Sequence, residues 1–212
     1  MKKRNNTKKK LLVTGICVFV IGFAILLFPP LEKVKKQVFN DMRLAIYRYQ
    51  INQDNIYMNQ DVTTLPSDSS TDSSMKEDTT FLYIGQLEIP AISLKRGFVE
   101  KDSIYNNINY NIQIAKEADY PDVIDGNFIL MAHSGDAAIS FFDSLYQLKL
   151  GDEAIVSYQA NTYYYQLVKT YTVEKTGKVA IYRDYHKKTL TLITCTRNDD
   201  SHQSIYIFEQ KA

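Results

Sequence analysis

The segment Thr189-Leu-Thr-Leu-Ile-Thr-Cys195 decides how the second half of this chain folds. Threonine and leucine alternate along it, and the period of two residues is typical of a β-strand. The segment ends on a cysteine and is followed by the polar residues 196–203 (TRNDDSHQ). It therefore predicts a strand that brings Cys195 to the point where a buried sheet meets a surface loop.

Similar segments recur from Phe81 to the C-terminus. Each is short and rich in β-branched and aromatic residues, and each predicts a strand. The predicted strands cover residues 82–89, 127–132, 153–158, 162–175, 189–194 and 204–209. Helical interruptions are predicted at 103–105 and at 139–148, where apolar residues recur at helical spacing. The sequence thus predicts a mostly β domain over residues 81–212, a barrel or a sandwich.

The charges of the chain exclude some functions. Of 212 residues, 25 are basic and 24 acidic, and six of the basic ones lie in residues 1–10. The rest of the chain carries 19 basic against 24 acidic residues. This balance offers no basic surface suited to nucleic acid, and we expect no nucleic-acid partner. Two cysteines also exclude a disulfide-stapled fold and a multi-cysteine metal site.

The N-terminal stretch predicts a membrane anchor. Residues 11–28 contain no charged side chain, and two prolines extend the apolar run to residue 30, close to the length of a membrane-spanning helix. A cleavable signal peptide is the alternative, but its apolar region is usually shorter and ends at a small-residue cleavage site. The basic residues 1–10 predict a cytoplasmic N-terminus. The remaining chain is then expected outside the cell, attached to the membrane by one span.

Two further segments lead to the predicted domain. Residues 31–57 predict a juxtamembrane helix, and its apolar face is formed by Leu31, Val34, Val38, Met42, Ala45 and Tyr49. This face is expected to pack on the domain or on a second copy. Residues 58–80 are rich in Ser, Thr and Asp and predict a flexible linker.

One cysteine and one histidine stand out as candidates for chemistry. Cys17 lies within the predicted anchor, where a thiol acts as a small apolar group. Cys195 is the better candidate for a reactive cysteine, because it lies between a strand and a surface loop. A cysteine in a strand is nevertheless more often a buried residue that only packs in the core. A cysteine nucleophile reacts as the thiolate, often with a neighbouring imidazole. His133 ends the predicted strand 127–132, whereas His186 and His202 have polar neighbours.

Four motifs of this chain resemble those of the sortases, the membrane-anchored cysteine transpeptidases of Gram-positive bacteria. They follow one another along the chain in the same order as in that family. The segment TLITC before the last strand is similar to the TLxTC signature of that family. The other motifs are IGQLEIPAISL at 84–94, NFILMAHSG at 127–135 and FFDSLYQLKLGDEAIV at 141–156. The resemblance covers residues 81–212.

The resemblance implies a closed eight-stranded β-barrel with short helices. It also implies that Cys195 attacks a sorting signal of the Leu-Pro-x-Thr-Gly kind and forms a thioester, which an amine of peptidoglycan or of a pilin then resolves. His133 would protonate the leaving amine and later accept a proton from the attacking one. The expected partners are surface proteins that carry C-terminal sorting signals.

The chain departs from the sortase pattern at the arginine expected before the last strand, where it has Gln203. Gln203 could donate a hydrogen bond, Arg197 could fold over the site, or activity could be weak or lost. Thr194 is a further candidate for oxyanion or substrate support. A catalytically idle binding domain and a cysteine hydrolase remain alternatives.

The class of sortase stays open. The spacing of 62 positions between His133 and Cys195 leaves little room for the insertion of class B enzymes. The Asp-Pro-aromatic lid motif of many class C enzymes is not found. No cofactor is expected. A calcium site formed by Asp152, Glu153, Asp199 and Asp200 is conceivable, but solvated turns are the favoured interpretation.

Overall fold

The computed structural model describes residues 3–58 and 81–211. Among them, the chain divides into two compact units, Met1–Phe39 and Asn40–Ala212. The helix α1 extends from Lys3 to Met58. The linker predicted at 58–80 lies almost entirely outside the described residues.

The structure does not support the predicted membrane anchor at residues 11–30. α1 passes without interruption through this segment and through the helix predicted separately at 31–57. Within the residues that are described, no helix is both long enough and apolar enough to cross a bilayer.

Across the described residues, eight strands form one sheet. They are β1 (Gly85–Ile89), β2 (Leu94–Phe98), β3 (Gln113–Ile114), β4 (Asn127–Met131), β5 (Glu153–Tyr158), β6 (Asn161–Glu174), β7 (Thr189–Thr196) and β8 (Asp199–Gln210). Their order in the sheet is β2-β1-β5-β6-β8-β7-β4-β3. All neighbouring strands pair antiparallel except β4 and β7, which run parallel.

The sheet curls into a nearly closed barrel, whereas a fully closed one was expected. Its two edge strands, β2 and β3, are bridged by a side chain instead of a strand ladder. The amide of Asn111, just before β3, donates to the carbonyl oxygen of Gly97 in β2 over 2.8 Å. Asn111 is buried, so this hydrogen bond connects the two edge strands in low-dielectric surroundings.

The interior follows from the alternation of side chains along the strands. In β5, Ala154, Val156 and Tyr158 are buried while the residues between them are half-exposed. β7 lies between β4 and β8 and is buried on both faces as far as Thr194. Its last two residues, Cys195 and Thr196, are the first of the strand to meet solvent.

The C-terminal part of α1 packs on the barrel, but not through the predicted face. Leu44 and Tyr47 are buried against Tyr83 and Val99. Met42 and Tyr49, which belong to the predicted face, are exposed. Polar groups fix the contact, because the Tyr83 hydroxyl donates to the buried Asn40 side chain over 3.1 Å and Asn40 donates to the Lys95 carbonyl over 3.2 Å.

The prediction of a helix at 139–148 was wrong. This segment forms turns and a single 3-10 turn at Leu145–Gln147. A second 3-10 turn, at Pro90–Ile92, begins on the proline that ends β1. The segment predicted as helical at 103–105 forms turns as well.

Candidate active site

His133 and Cys195 lie near the neighbouring ends of β4 and β7. The two strands are parallel, and Met131 lies opposite Ile193. Continuing this register by two residues places His133 opposite Cys195. The Ala132 amide donates to the Ile193 carbonyl over 3.3 Å, so the pairing continues past the end of β4. Paired residues on neighbouring strands project from the same face of a sheet, so this extension of the register would put both side chains on one face.

Two side-chain hydrogen bonds join the strand ends. The Ser134 hydroxyl donates to the Cys195 carbonyl oxygen over 2.6 Å. In the opposite direction, the Thr194 hydroxyl donates to the Ala132 carbonyl oxygen over 2.8 Å. Thr194 is buried, and its hydroxyl is engaged in this bond.

His133 is held by its backbone and by one polar neighbour. Its carbonyl accepts from the Phe142 amide over 2.9 Å, which folds the 134–141 loop back onto the strand end. Its ring Nε2 lies 3.4 Å from the Asn109 side-chain oxygen. A neutral imidazole that is protonated on Nε2 would donate to this oxygen.

Cys195 is a half-buried free cysteine at the end of β7. Its neighbour across the sheet is Gln203 of β8. Its sulfur lies 3.7 Å from the Lys175 ammonium nitrogen. The thiol is therefore partly exposed and has a cation in contact with its sulfur.

The segment that contains Arg197 and Gln203 folds differently from the predicted loop. The polar segment 196–203 was predicted to be a loop, but β7 runs to Thr196 and β8 already begins at Asp199. Arg197 and Asn198 form the tip of a tight hairpin, with Asn198 in the left-handed region at φ 59°. The guanidinium of Arg197 lies over the Tyr146 ring, 4.4 Å from its centroid. Gln203 lies within β8 instead of before it.

The remaining histidines do not pair with Cys195 in this way. His202 Nδ1 lies 2.8 Å from an Asp199 carboxylate oxygen, next to Ser201. The pKa of Asp199 is lowered, first by hydrogen bonds from Ser201 and then by His202. His186 is exposed, in the turn before β7.

The four acidic residues considered for calcium have other partners or stand apart. Glu153 forms an ion pair with Lys211, and Asp152 accepts from the Lys149 amide over 2.8 Å. Asp199 accepts from Ser201 and His202. No group of three or more His, Cys, Asp and Glu residues suited to a metal occurs in the described part of the chain.

Sequence reasoning missed two residues of the site. Ser134 could have been found, because it directly follows the candidate histidine in a predicted turn. Lys175 could not, because its proximity to Cys195 depends on which strands are neighbours in the sheet.

The structure is thus a nearly closed β-barrel that carries a histidine and a cysteine near the adjacent ends of two parallel strands. The family model of the sortase domain matches residues 87–211. The chain belongs to the sortase family, whose members are cysteine transpeptidases.

Solved structures with the same fold are sortases as well. A Clostridium perfringens sortase D5 transpeptidase has a TM-score of 0.53 at 19% identity, covering 62% of this chain and 80% of that one. Sortase C1 from Streptococcus suis has a TM-score of 0.55 at 22% identity, with 61% and 73% covered. Listeria monocytogenes sortase A has a TM-score of 0.52 at 18% identity, with 61% and 88% covered. No curated protein matches the chain by sequence.

Proposed function

We propose that this sortase cleaves a sorting signal of the Leu-Pro-x-Thr-Gly kind with Cys195 and joins the product to an amine. The observation that carries the proposal is the parallel pairing of β4 and β7, whose last paired residues, Met131 and Ile193, each lie two positions before His133 and Cys195. The bond from Ser134 to the Cys195 carbonyl supports it, because this bond holds the two strand ends together.

The chemistry follows from this pair. The Cys195 thiolate adds to the carbonyl carbon of the scissile amide and forms a tetrahedral oxyanion. When the oxyanion collapses, the C–N bond breaks, His133 gives a proton to the departing amine, and the acyl group stays on sulfur as a thioester. A second amine then adds to the thioester, His133 takes its proton, and the thiolate leaves.

The substrates follow from the same scheme. The acyl donor is a surface protein with a C-terminal sorting signal, and the acceptor is a peptidoglycan cross-bridge or a pilin lysine. Such substrates are found outside the membrane, so we place the barrel at the cell surface. Neither a cofactor nor a metal takes part in the steps above.

A weakly active or idle binding domain is the second candidate. The observation that favours it is Gln203, which lies opposite Cys195 where the family pattern has an arginine nearby. A neutral amide offers a hydrogen bond to an oxyanion but no full charge.

The test measures cleavage of a fluorogenic sorting peptide by the full chain, with and without an added amine. Cys17→Ala serves as the matched control for Cys195→Ala, because each variant removes one free thiol. We expect ligated product with the native chain and with Cys17→Ala, and none with Cys195→Ala. Product formed by water even at high amine concentration would identify a hydrolase instead. No turnover by the folded native chain on any sorting peptide would favour the idle domain.

A further inference from the structure

Lys175 lies beside the candidate nucleophile although it belongs to a different part of the sheet. It directly follows β6, and its ammonium nitrogen lies 3.7 Å from the Cys195 sulfur. Its backbone amide donates to the Ser201 carbonyl of β8 over 2.8 Å. The base of the side chain is therefore fixed by the sheet, while the charged end reaches the thiol.

The strand order explains how this contact arises. β8 lies between β6 and β7, so Lys175 must reach across one strand. Two strand spacings amount to about 10 Å, a distance that a long lysine side chain and a cysteine side chain can bridge together. Val173 pairs with Gln203, and Gln203 pairs with Cys195. Because side chains alternate along a strand, Lys175 projects from the same face as Val173 and passes over β8 near Gln203.

Two other charged groups near this end of the barrel have partners of their own. Arg197 lies over the Tyr146 ring. The Asp199 carboxylate accepts hydrogen bonds from Ser201 and His202. Lys175 is thus a cation in contact with the thiol at a site where the strand residue facing Cys195 is neutral.

We propose that Lys175 is a catalytic residue, whose ammonium group supplies the positive charge that Gln203 cannot. The inference rests on the proposed function. The cation stabilises the negative charge of the oxyanion that forms next to the sulfur. The positive charge thus belongs to a residue that follows β6 and reaches across β8, instead of to a residue of β8. No bond forms to Lys175 in this role.

An exposed ammonium group is expected to act at short range and in a salt-dependent way. At 3.7 Å, a positive unit charge in water stabilises a neighbouring negative charge by about fivefold. At about 1 M salt the screening length falls to roughly 3 Å, so most of this effect is lost. A role in packing would not depend on salt in this manner.

The test compares Lys175→Met, Lys175→Arg and Lys178→Met in the full chain carrying Cys17→Ala, which leaves one thiol. Lys178 is the matched control, an exposed lysine in the same turn. The first readout is the rate at which iodoacetamide alkylates Cys195, which does not require a substrate. The second is kcat and KM with a sorting peptide and an amine.

We expect Lys175→Met to slow alkylation by about fivefold at low salt. We expect it to lower kcat by about 10-fold with little change in KM, less than the loss of a buried oxyanion donor because Lys175 is exposed. Lys175→Arg should retain most of both rates, and Lys178→Met should match the parent chain. The difference between Lys175→Met and the parent should shrink at about 1 M salt.

The two readouts separate this inference from the proposed function. If the parent chain ligates no peptide but Lys175→Met still slows alkylation, the proposed function fails and the effect of Lys175 on the thiol stands. If Lys175→Met matches the parent in alkylation and in kcat, the role of Lys175 is overturned. It is also overturned if Lys175→Arg loses as much as Lys175→Met, because the charge would then not be what matters.

Discussion

Ser134 donates a hydrogen bond from its hydroxyl to the backbone carbonyl of Cys195 over 2.6 Å. A second hydrogen bond runs in the opposite direction: the hydroxyl of Thr194, the residue before Cys195, donates to the Ala132 carbonyl over 2.8 Å. His133 stands between Ala132 and Ser134. The two hydrogen bonds, one on each side of His133, therefore hold residues 132–134 against the end of β7, where the regular pairing of β4 and β7 ends. They are called the lock below.

Removal of the Ser134 hydroxyl is expected to loosen this lock. Ser134→Ala should lower the free energy of unfolding by about 1 kcal/mol, the usual net value of one hydrogen bond. It should also lower kcat, because His133 and Cys195 are held less firmly together. Urea denaturation and peptide ligation measure the two effects. Ser134→Thr keeps the hydroxyl and is the control; a Ser134→Ala chain with unchanged kcat would show that the lock does not position the site.

Introducing an arginine at position 203 tests whether a cation there can replace the positive charge of Lys175. Gln203 lies opposite Cys195, so an arginine there can approach the same oxyanion as Lys175. Gln203→Arg should raise kcat more in the Lys175→Met background than in the native chain, because the two cations serve the same purpose and are not additive. Equal gains in both backgrounds would mean that the two positions act independently.

A buried polar cluster between β4 and β7 should stabilise the parallel pair. The Asn127 side-chain oxygen accepts from the Thr189 hydroxyl over 3.0 Å and from the Thr191 hydroxyl over 2.8 Å, and all three residues are buried. Asn127→Ala removes the shared acceptor, so we expect a loss of about 2 kcal/mol in the free energy of unfolding. The control is Asn161→Ala, at the exposed start of β6, with an effect below about 0.5 kcal/mol. Equal effects of the two substitutions in urea denaturation would refute the role of the cluster.

Tyr47 links stability to alkaline pH. Burial raises its pKa from 10.0 to about 12. In the unfolded chain the phenol ionises near its ordinary pKa, whereas in the folded chain it stays protonated until about pH 12. The stabilisation is thus complete below pH 10 and is lost as the pH rises from 10 to about 12. In urea denaturation across this range, Tyr47→Phe should show a shallower decline than the native chain. An unchanged decline would contradict burial of Tyr47 between α1 and the barrel.

The sequence predicted the strands with continuous apolar or alternating patterns well. The prediction for 153–158 matches β5 residue for residue, and β4 differs by one residue. β2 was missed because Lys95, Arg96 and Gly97 give it the composition of a loop. Its edge position explains this, since an edge strand tolerates charged residues.

The predicted site was incomplete for a related reason. The start of β8 was taken as a loop because residues 199–203 are polar, but this end of the hairpin is partly exposed and needs no apolar residues. A sequence shows that Cys195 and His133 end strands, but not that those strands are neighbours. The contact of Lys175 with Cys195 depends on the order β6-β8-β7, which no local pattern specifies.

The most direct test of the central claim is the intact mass of the full chain after reaction with a sorting peptide in the absence of an added amine. We predict an acyl adduct on Cys195 that disappears when an amine is supplied. His133→Ala should form the adduct about 100-fold more slowly, because the leaving amine then lacks its proton donor, whereas His186→Ala should behave as the native chain. A folded chain that forms no adduct on Cys195 with any sorting peptide, or forms it equally fast without His133, would contradict the account.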